Sequence, residues 1–312
     1  GRDRLGAAKR LRLHRVDPDQ LVAEIVALAS EHKEARAKIL LYVRAPEQAR
    51  QVASALARSL GAGGEQHVGL LTGTIRGHER DRLAATSPVY RLLLDPQRQA
   101  EQTVYLVSTS AGEVGIDLDA DHLVCDLTTL DSLIQRLGRV NRRGGKARQA
   151  RIDVVGTPPS KDKLSARDQA IVATRALLEL WGAESEFGID VGPGKVRLLV
   201  SEANPDAVVA AFSPVQAAPP LTDILLDAWS LTSIQAMPGR RDVQPFLHGV
   251  TRDPPETFVA WRQELRCLTA AGVDEDALRD WFRACRIETR ERLRDRTGRV
   301  KGALDGLLKS HR

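Results

Sequence analysis

The sequence predicts an α/β protein in which a parallel sheet is flanked by helices over residues 19–157. Short apolar runs alternate there with longer segments of helical period, an order typical of βαβ units. Parallel sheets of this kind bind their ligands at the carboxyl ends of the strands. The loops that follow the apolar runs are therefore predicted to carry the functional residues.

Each element rests on a local signal. Residues 1–18 are basic and irregular, and residues 19–37 carry apolar side chains at helical spacing. Pro46 opens a helix that the glycines from Gly61 onward end. Residues 86–100 are predicted to form a polar loop. The predicted strands are 38–43, 67–71, 102–108, 122–127 and 151–155, and the other predicted helices are 76–85 and 132–140.

Beyond Thr157 the pattern changes, and residues 158–312 are predicted to form a mixed, mainly helical accessory domain with a basic tail. Loop signals dominate residues 183–220. Asp274 precedes a helical pattern and is predicted to be its N-cap. The other predicted elements are helices at 165–181, 221–234 and 274–285 and a strand at 257–265.

Composition limits the class of protein. The chain has 312 residues, enough for two domains, and its 42% hydrophobic and 28% charged residues are ordinary for a soluble globular protein. No apolar run is long enough to span a membrane, and no signal peptide opens the sequence. The three cysteines form no CxxC pair, which argues against a disulfide framework or a zinc site. We therefore expect a cytoplasmic protein without a membrane partner and without a metal site of its own.

The net charge of +5 is unevenly distributed. Residues 135–151 include seven basic residues and no acidic one, and residues 283–312 include ten basic and four acidic residues. Such clusters favour a polyanionic partner. The tail arginines are expected on the surface of a charged helix. Aromatic residues make up only 4%, and the four tryptophans are predicted to lie in cores rather than to stack on bases: Trp181, Trp229, Trp261 and Trp281.

The most specific motif is QRLGRVNRRG at residues 135–144. It places Arg139 and Arg142 three residues apart, which we interpret as one face of a helix. Guanidinium groups so placed suit a triphosphate, because they keep their charge and match phosphate oxygens. A second motif, STSAGEVGID, lies upstream at residues 108–117. Together the two resemble motifs V and VI of superfamily 2 helicases, which implies a RecA-like lobe over residues 19–157.

A phosphate-binding loop of the form GxxxxGK[ST] does not occur in the sequence. The chain also begins without Met. We therefore expect the second half of a two-lobed motor, as a piece of a longer protein or as one part of a split protein. Residues 1–18 would be the linker from the first lobe, and that lobe would hold most of the ATP and Mg²⁺.

Further segments resemble the CRISPR-associated helicase–nucleases of type I systems, over most of residues 36–265. They are LTGTIRGHER at 71–80, EVGIDLDAD at 113–121, DSLIQRLGRVNRRG at 131–144 and, less specifically, LTDILLDAWSLTS at 221–233. The resemblance implies an ATP-driven motor on single-stranded DNA that is recruited by an RNA-guided surveillance complex. The family's HD nuclease has no counterpart, because none of the seven histidines forms a His-Asp pair.

The resemblance also implies roles for individual residues. Arg142 resembles an arginine finger, Arg139 would contact the same phosphates, and Gln135 would help to sense them. Gly115 would let the backbone approach the nucleotide, and Asp117 would touch its ribose or couple the two motor states. The residues expected to contact nucleic acid are Thr72, Gly73, Arg76, Arg80, Ser108 and Thr109.

Plainer interpretations stay open for several of these residues. Asp117, Ser108 and Thr109 could be capping groups, and Arg76 and Arg80 could lie on a solvated helix face. The whole chain could instead be a lobe of a superfamily 2 RNA or repair helicase. It could also be a non-catalytic scaffold lobe that binds nucleic acid or protein.

Overall fold

The computed structural model gives the fold of most of the chain. It describes residues 5–73, 75–95, 99–110, 118–144, 148–157, 164–215, 219–234, 238–243, 245–246, 255–266, 272 and 274–310.

A seven-stranded sheet forms the centre of the fold. Its strands are β1 (Ala8–Arg15), β2 (Lys38–Tyr42), β3 (Val68–Leu71), β4 (Val104–Ser108), β5 (His122–Asp126), β6 (Gln149–Gly156) and β7 (Ile189–Asp190). Their order is β3-β4-β2-β5-β6-β1-β7, and every pairing is parallel except that of β7 with β1. The predicted α/β class with a parallel sheet is confirmed.

Helices cover both faces of this sheet. Leu40, Leu106 and Leu123 belong to one buried cluster, whereas Leu41, Val107 and Val124 belong to the other. Successive residues of β2, β4 and β5 thus face opposite cores, as strand geometry requires. The helices of this part of the chain are α1 (Leu21–Ser30), α2 (Pro46–Ser59), α3 (Gly77–Thr86), α4 (Pro88–Leu94), α5 (Leu130–Leu137), α6 (Ala166–Leu180), α7 (Pro193–Glu202) and α8 (Pro205–Ala211).

Two predicted loops are wrong. Residues 86–100 include α4, which begins with Pro88 and buries Val89, Tyr90 and Leu93. Residues 183–220 include α7 and α8, which also begin with prolines. Proline at the first helical position is favourable, because its missing N–H has no helical partner there. Pro193, which contributes to the loop signals of residues 183–220, is therefore the start of a helix.

The prediction that residues 1–18 are irregular is also wrong, because β1 pairs along its whole length with β6. Its basic side chains meet the fully buried Asp153, which accepts hydrogen bonds from Arg12, at 2.9 Å, and from Arg151, at 2.7 Å. His14 Nε2 lies 2.8 Å from the same carboxylate. Burial by itself would raise the pKa of Asp153, but these neighbours outweigh it and lower that pKa. The strand tolerates its basic residues because they find partners in the fold: Arg12 pairs with Asp153, and Arg15 pairs with Glu179.

The rest of the chain forms smaller elements, α9 (Asp223–Ser230), β8 (Glu256–Val259), α10 (Glu275–Ala284), β9 (Leu293–Arg296) and α11 (Thr297–Ser310). Asp274 is the N-cap of α10 as predicted, since its carboxylate accepts a hydrogen bond from the Ala277 N–H at 2.8 Å. Arg294 and Arg296 lie on β9, so the expectation that the tail arginines share one helix is wrong.

Contacts divide the chain into two compact units. One comprises Gly1–Ser213 with Phe258–Arg294, and the other comprises Pro214–Thr257 with Asp295–Arg312. The accessory domain over 158–312 and the linker over 1–18 remain predictions about the chain's functional parts. Among the described residues, no helix is both long and apolar enough to cross a membrane. Within the same residues, no cluster of three or more His, Cys, Asp or Glu side chains could hold a metal ion.

Candidate functional site

The site is built around α5, which carries the first part of the arginine motif. Leu130, Leu133 and Leu137 bury one side of this helix, and Arg136, only 2% exposed, lies on the same side. The Arg136 Nη1 donates to the backbone oxygen of Asp126 and to its carboxylate, both at 2.9 Å. The guanidinium carbon also lies 5.1 Å from the centroid of the Tyr42 ring. This arginine therefore fixes α5 to the carboxyl end of β5.

The chain leaves the helix before the two predicted phosphate ligands. Gly138 caps α5, and the next residues pair with the segment just before β5. The Ala120 N–H donates to Arg139 O at 2.9 Å, and the Asn141 N–H donates to Ala120 O at 2.8 Å. Arg139 and Arg142 consequently do not share a helix face, and that interpretation was wrong. The structure places them in a loop.

This loop lies at the amino end of β5. The eight residues of α5 rise about 12 Å. This length returns the chain from the carboxyl ends of the strands to their amino ends. The expectation that both motifs meet at the carboxyl ends of the strands is therefore wrong for the motif at 135–144.

Asp119 holds the backbone of the arginine loop. It is 2% exposed, and its Oδ1 accepts the Arg142 N–H at 2.9 Å. Arg148 donates to the other oxygen of Asp119 at 3.0 Å and to Asp121 at 2.7 Å. Asn141 adopts a φ of 42° and donates from its side-chain nitrogen to Arg148 O at 2.9 Å. The backbone that carries Arg142 is thus fixed by a buried carboxylate.

Lys9, on β1, reaches the end of α5. Its Nζ donates to Leu137 O at 2.6 Å, and the residue is only 3% exposed. A cation at a helix C-terminus satisfies a carbonyl and interacts well with the helix dipole. Burial lowers the pKa of Lys9, and the charge of Asp119 raises it. Burial has the larger effect, so the pKa falls to about 8.

This pKa gives a testable dependence of stability on pH. Because unfolded Lys9 keeps its proton up to about pH 10.5 while the folded residue loses it near pH 8, the free energy of unfolding should rise across this interval. We expect the wild type to gain about 2–3 kcal/mol relative to Lys9→Met between pH 7.5 and pH 10. Denaturant unfolding of both proteins at each pH measures the difference. An equal pH dependence in the two proteins would contradict the assignment.

The predicted phosphate residues have different environments. Gln135 is exposed, and Arg139 and Arg142 are half-buried. Gly115 and Asp117 lie outside the described residues, so their predicted roles remain predictions. Of the predicted set, the structure brings together Arg139 and Arg142 on the loop that Asp119 and Ala120 hold.

Three of the predicted nucleic-acid residues meet at the carboxyl edge of the sheet. Ser108 ends β4 beside Leu71 of β3, and Thr72 and Thr109 follow these two residues. All three polar residues are buried, and the Ser108 hydroxyl lies 3.0 Å from Leu71 O and 2.9 Å from Thr109 O. The hydroxyl can donate its proton to one of these oxygens, so Ser108 would contact a phosphate only after exchanging that bond.

Gly73, Arg76 and Arg80 continue from this edge. Gly73 and Arg80 are exposed, whereas Arg76 is half-buried at the N-cap of α3. The Arg76 Nη2 donates to the Glu79 carboxylate at 2.8 Å, and this hydrogen bond lowers the pKa of Glu79. Arg139 and Arg142 therefore lie at the amino ends of the strands, whereas Thr72, Ser108 and Thr109 lie at their carboxyl ends.

Sequence reasoning missed three residues that shape the site: Arg136, Asp119 and Lys9. A signal existed for the first, because Arg136 follows Leu133 by three residues on the apolar face of a helix. Asp119 lies within the segment at 113–121 that resembles the helicase–nuclease family, but the resemblance implies no role for it. Lys9 had no usable signal, since its partner is 128 residues away.

The fold and site define a RecA-like α/β lobe. Its arginine loop lies at the amino ends of the strands, and the polar residues Thr72, Ser108 and Thr109 lie at their carboxyl ends. Residues 35–145 match the family model of the C-terminal part of the CRISPR-associated nuclease/helicase Cas3. This match confirms, over these residues, the resemblance that the motifs indicate. No curated protein sequence matches the chain.

Several solved structures resemble the fold. T. fusca Cas3 with AMPPNP matches at 19% identity and a TM-score of 0.48, over 65% of this chain and 24% of that one. A chain of a CRISPR RNA-guided surveillance complex in a pre-nicking state matches at 18% and 0.44, over 73% and 27%. The C-terminal domain of the DEAD-box protein Dbp5 matches at 21% and 0.38, over 55% and 84%. The chain thus spans about a quarter of the length of the first two.

Proposed function

We propose that the chain is the C-terminal motor lobe of an ATP-dependent DNA helicase that acts in CRISPR interference in the cytoplasm. The observation that carries the proposal is the family match over residues 35–145, which includes the arginine loop that Asp119 holds in place. A first lobe would bind ATP and Mg²⁺, and an RNA-guided surveillance complex would recruit the motor to DNA.

In this proposal the arginine loop acts on a nucleotide from across a cleft. Arg142 stabilises the charge that develops on the γ-phosphate, Arg139 contacts the same phosphates, and Gln135 senses them. A fixed loop backbone suits this role, because the guanidinium must be in place when the charge develops. When it is bound, ATP supplies the free energy for movement on DNA. Gly115 and Asp117 would contact the nucleotide together with the arginine loop.

The strand edge with Thr72, Ser108 and Thr109 is proposed to contact single-stranded DNA phosphates, with Gly73, Arg76 and Arg80 beside it. The location supports this role, because three residues that carry hydroxyl groups meet at the carboxyl ends of β3 and β4. In this arrangement the nucleotide lies at the amino ends of the strands and DNA lies at their carboxyl ends. ATP hydrolysis would then change the affinity for DNA through the lobe between them.

The proposal predicts that the chain alone does not turn over ATP. A finger needs a nucleotide that is already held by a phosphate-binding loop and a magnesium carboxylate, and the sequence has no such loop. Phosphate release should stay at background with saturating single-stranded DNA and should appear when a first lobe is added. Addition of an Arg142→Ala chain to the same lobe is the matched control.

Robust turnover by the highly purified chain would contradict the two-lobe assignment. DNA binding without turnover, with or without a first lobe, would favour the non-catalytic scaffold. Stimulation by RNA but not by DNA would favour a superfamily 2 RNA helicase.

A further inference from the structure

The prediction that all four tryptophans lie in cores is wrong for Trp261, which is 58% exposed. The Arg76 guanidinium carbon lies over its ring, 5.4 Å from the centroid. Arg76 belongs to the segment proposed to contact DNA, although Trp261 follows it by 185 residues. The fold therefore places an exposed indole next to this segment.

The neighbourhood of Trp261 is firmly attached to α3. The next residue, Arg262, donates to the Glu291 carboxylate at 2.7 Å, and its guanidinium carbon lies 5.4 Å from the centroid of the Trp281 ring. Residues 289–291 contact α3 so closely that a Cβ atom on Gly77 would lie 2.7 Å from the Cβ atom of Arg290. Such an approach requires glycine at position 77. The segment that carries Trp261 is thus held by Arg262 and Glu291 against the start of α3.

The charges nearby suit a polyanion despite several carboxylates. Glu79 pairs with Arg76, and Glu291 pairs with Arg262. Glu288 pairs with Arg290 at 2.6 Å. These three carboxylates are thus neutralised by arginines of the same surface, and a fourth, Asp81, also faces Arg290. The exposed Arg80 adds positive charge one turn along α3 from Arg76.

We propose that Trp261 is a stacking platform for one unpaired base of single-stranded DNA, with Arg76 against one face of the indole. The exposed part of the ring offers a planar apolar surface, and stacking on an aromatic side chain accepts any base. The phosphate beside that base would lie near Arg80. This inference rests on the proposed function, since it specifies how the DNA edge holds a base as well as phosphates.

The test compares two labelled oligonucleotides, oligo-dT and an oligomer of abasic sites of the same length, by fluorescence anisotropy with the full chain. The wild type should bind oligo-dT about tenfold more tightly than the abasic oligomer. Trp261→Ala should remove that preference and leave the affinity for the abasic oligomer unchanged. Trp261→Phe should retain part of the preference, because phenylalanine keeps an aromatic face.

Two control variants separate the explanations. Phe187→Ala removes an aromatic side chain that is 78% exposed elsewhere, and it should change neither affinity. Arg80→Ala should weaken binding to both oligomers, because both carry phosphates. An equal loss on both oligomers with Trp261→Ala, no loss, or tighter binding would overturn the stacking platform. If the stacking platform is overturned but Arg80→Ala still weakens binding, the proposed DNA contacts stand without a stacked base. A wild type that binds neither oligomer contradicts the proposed function itself.

Discussion

Replacement of Arg142 by alanine should lower the kcat of the reassembled two-lobe ATPase by about 10³ or more. DNA affinity should change little, because the contact strengthens in the transition state rather than on binding. Steady-state phosphate release at saturating ATP and DNA measures the first effect, and anisotropy with labelled DNA measures the second.

The controls for this variant lie in the same loop. Arg142→Lys should recover little activity, since an ammonium lacks the planar fork of a guanidinium. Arg143→Ala removes the exposed neighbouring arginine and should leave kcat near the wild-type value. Near-normal turnover by Arg142→Ala would show that the loop does not act as an arginine finger.

Replacement of Arg136 by alanine should destabilise the fold by about 3–5 kcal/mol, because it leaves the Asp126 carboxylate buried without its partner. The Arg44 N–H would still donate to that carboxylate, at 2.6 Å, but a single neutral donor does not replace a guanidinium. Denaturant unfolding of the purified variant measures the loss.

A double variant and a surface variant control this result. Arg136→Met with Asp126→Asn should recover much of the loss, since it removes both charges and keeps an acceptor for the Arg44 N–H. Arg50→Ala breaks an exposed pair with Glu47 and should cost no more than about 1 kcal/mol. A similar small effect for Arg136→Ala would mean that the buried pair does not fix α5.

Much of the sheet could be predicted because its signals are local. The apolar runs at 38–43, 102–108 and 122–127 became β2, β4 and β5, each within three residues at either end. Helix α2 was recognised from Pro46 and the glycines after Leu60. These elements were predictable because parallel strands covered on both faces are apolar throughout, and because proline and glycine constrain the backbone wherever they occur.

The residues of the arginine motif were predictable from the sequence, but the backbone conformation of its loop was not. The sequence identified Arg139 and Arg142, yet Gly138 ends the helix, and pairing with Ala120 then sets the loop. Ala120 lies some twenty residues earlier in the chain, so its pairing with the loop is not visible in the local sequence pattern.

By itself the sequence determined the α/β class, most strands of the sheet and the motifs that link residues 35–145 to a helicase family, because these depend on neighbours along the chain. Only the tertiary structure decided that β1 joins the sheet, that Arg136 and Lys9 hold the two ends of α5, and that Trp261 lies exposed against Arg76. Each of these rests on partners far apart in sequence, such as Asp153 for the basic strand β1. A buried or stacked charge is favourable only when its partner is in place, and the folded chain is what brings the two together.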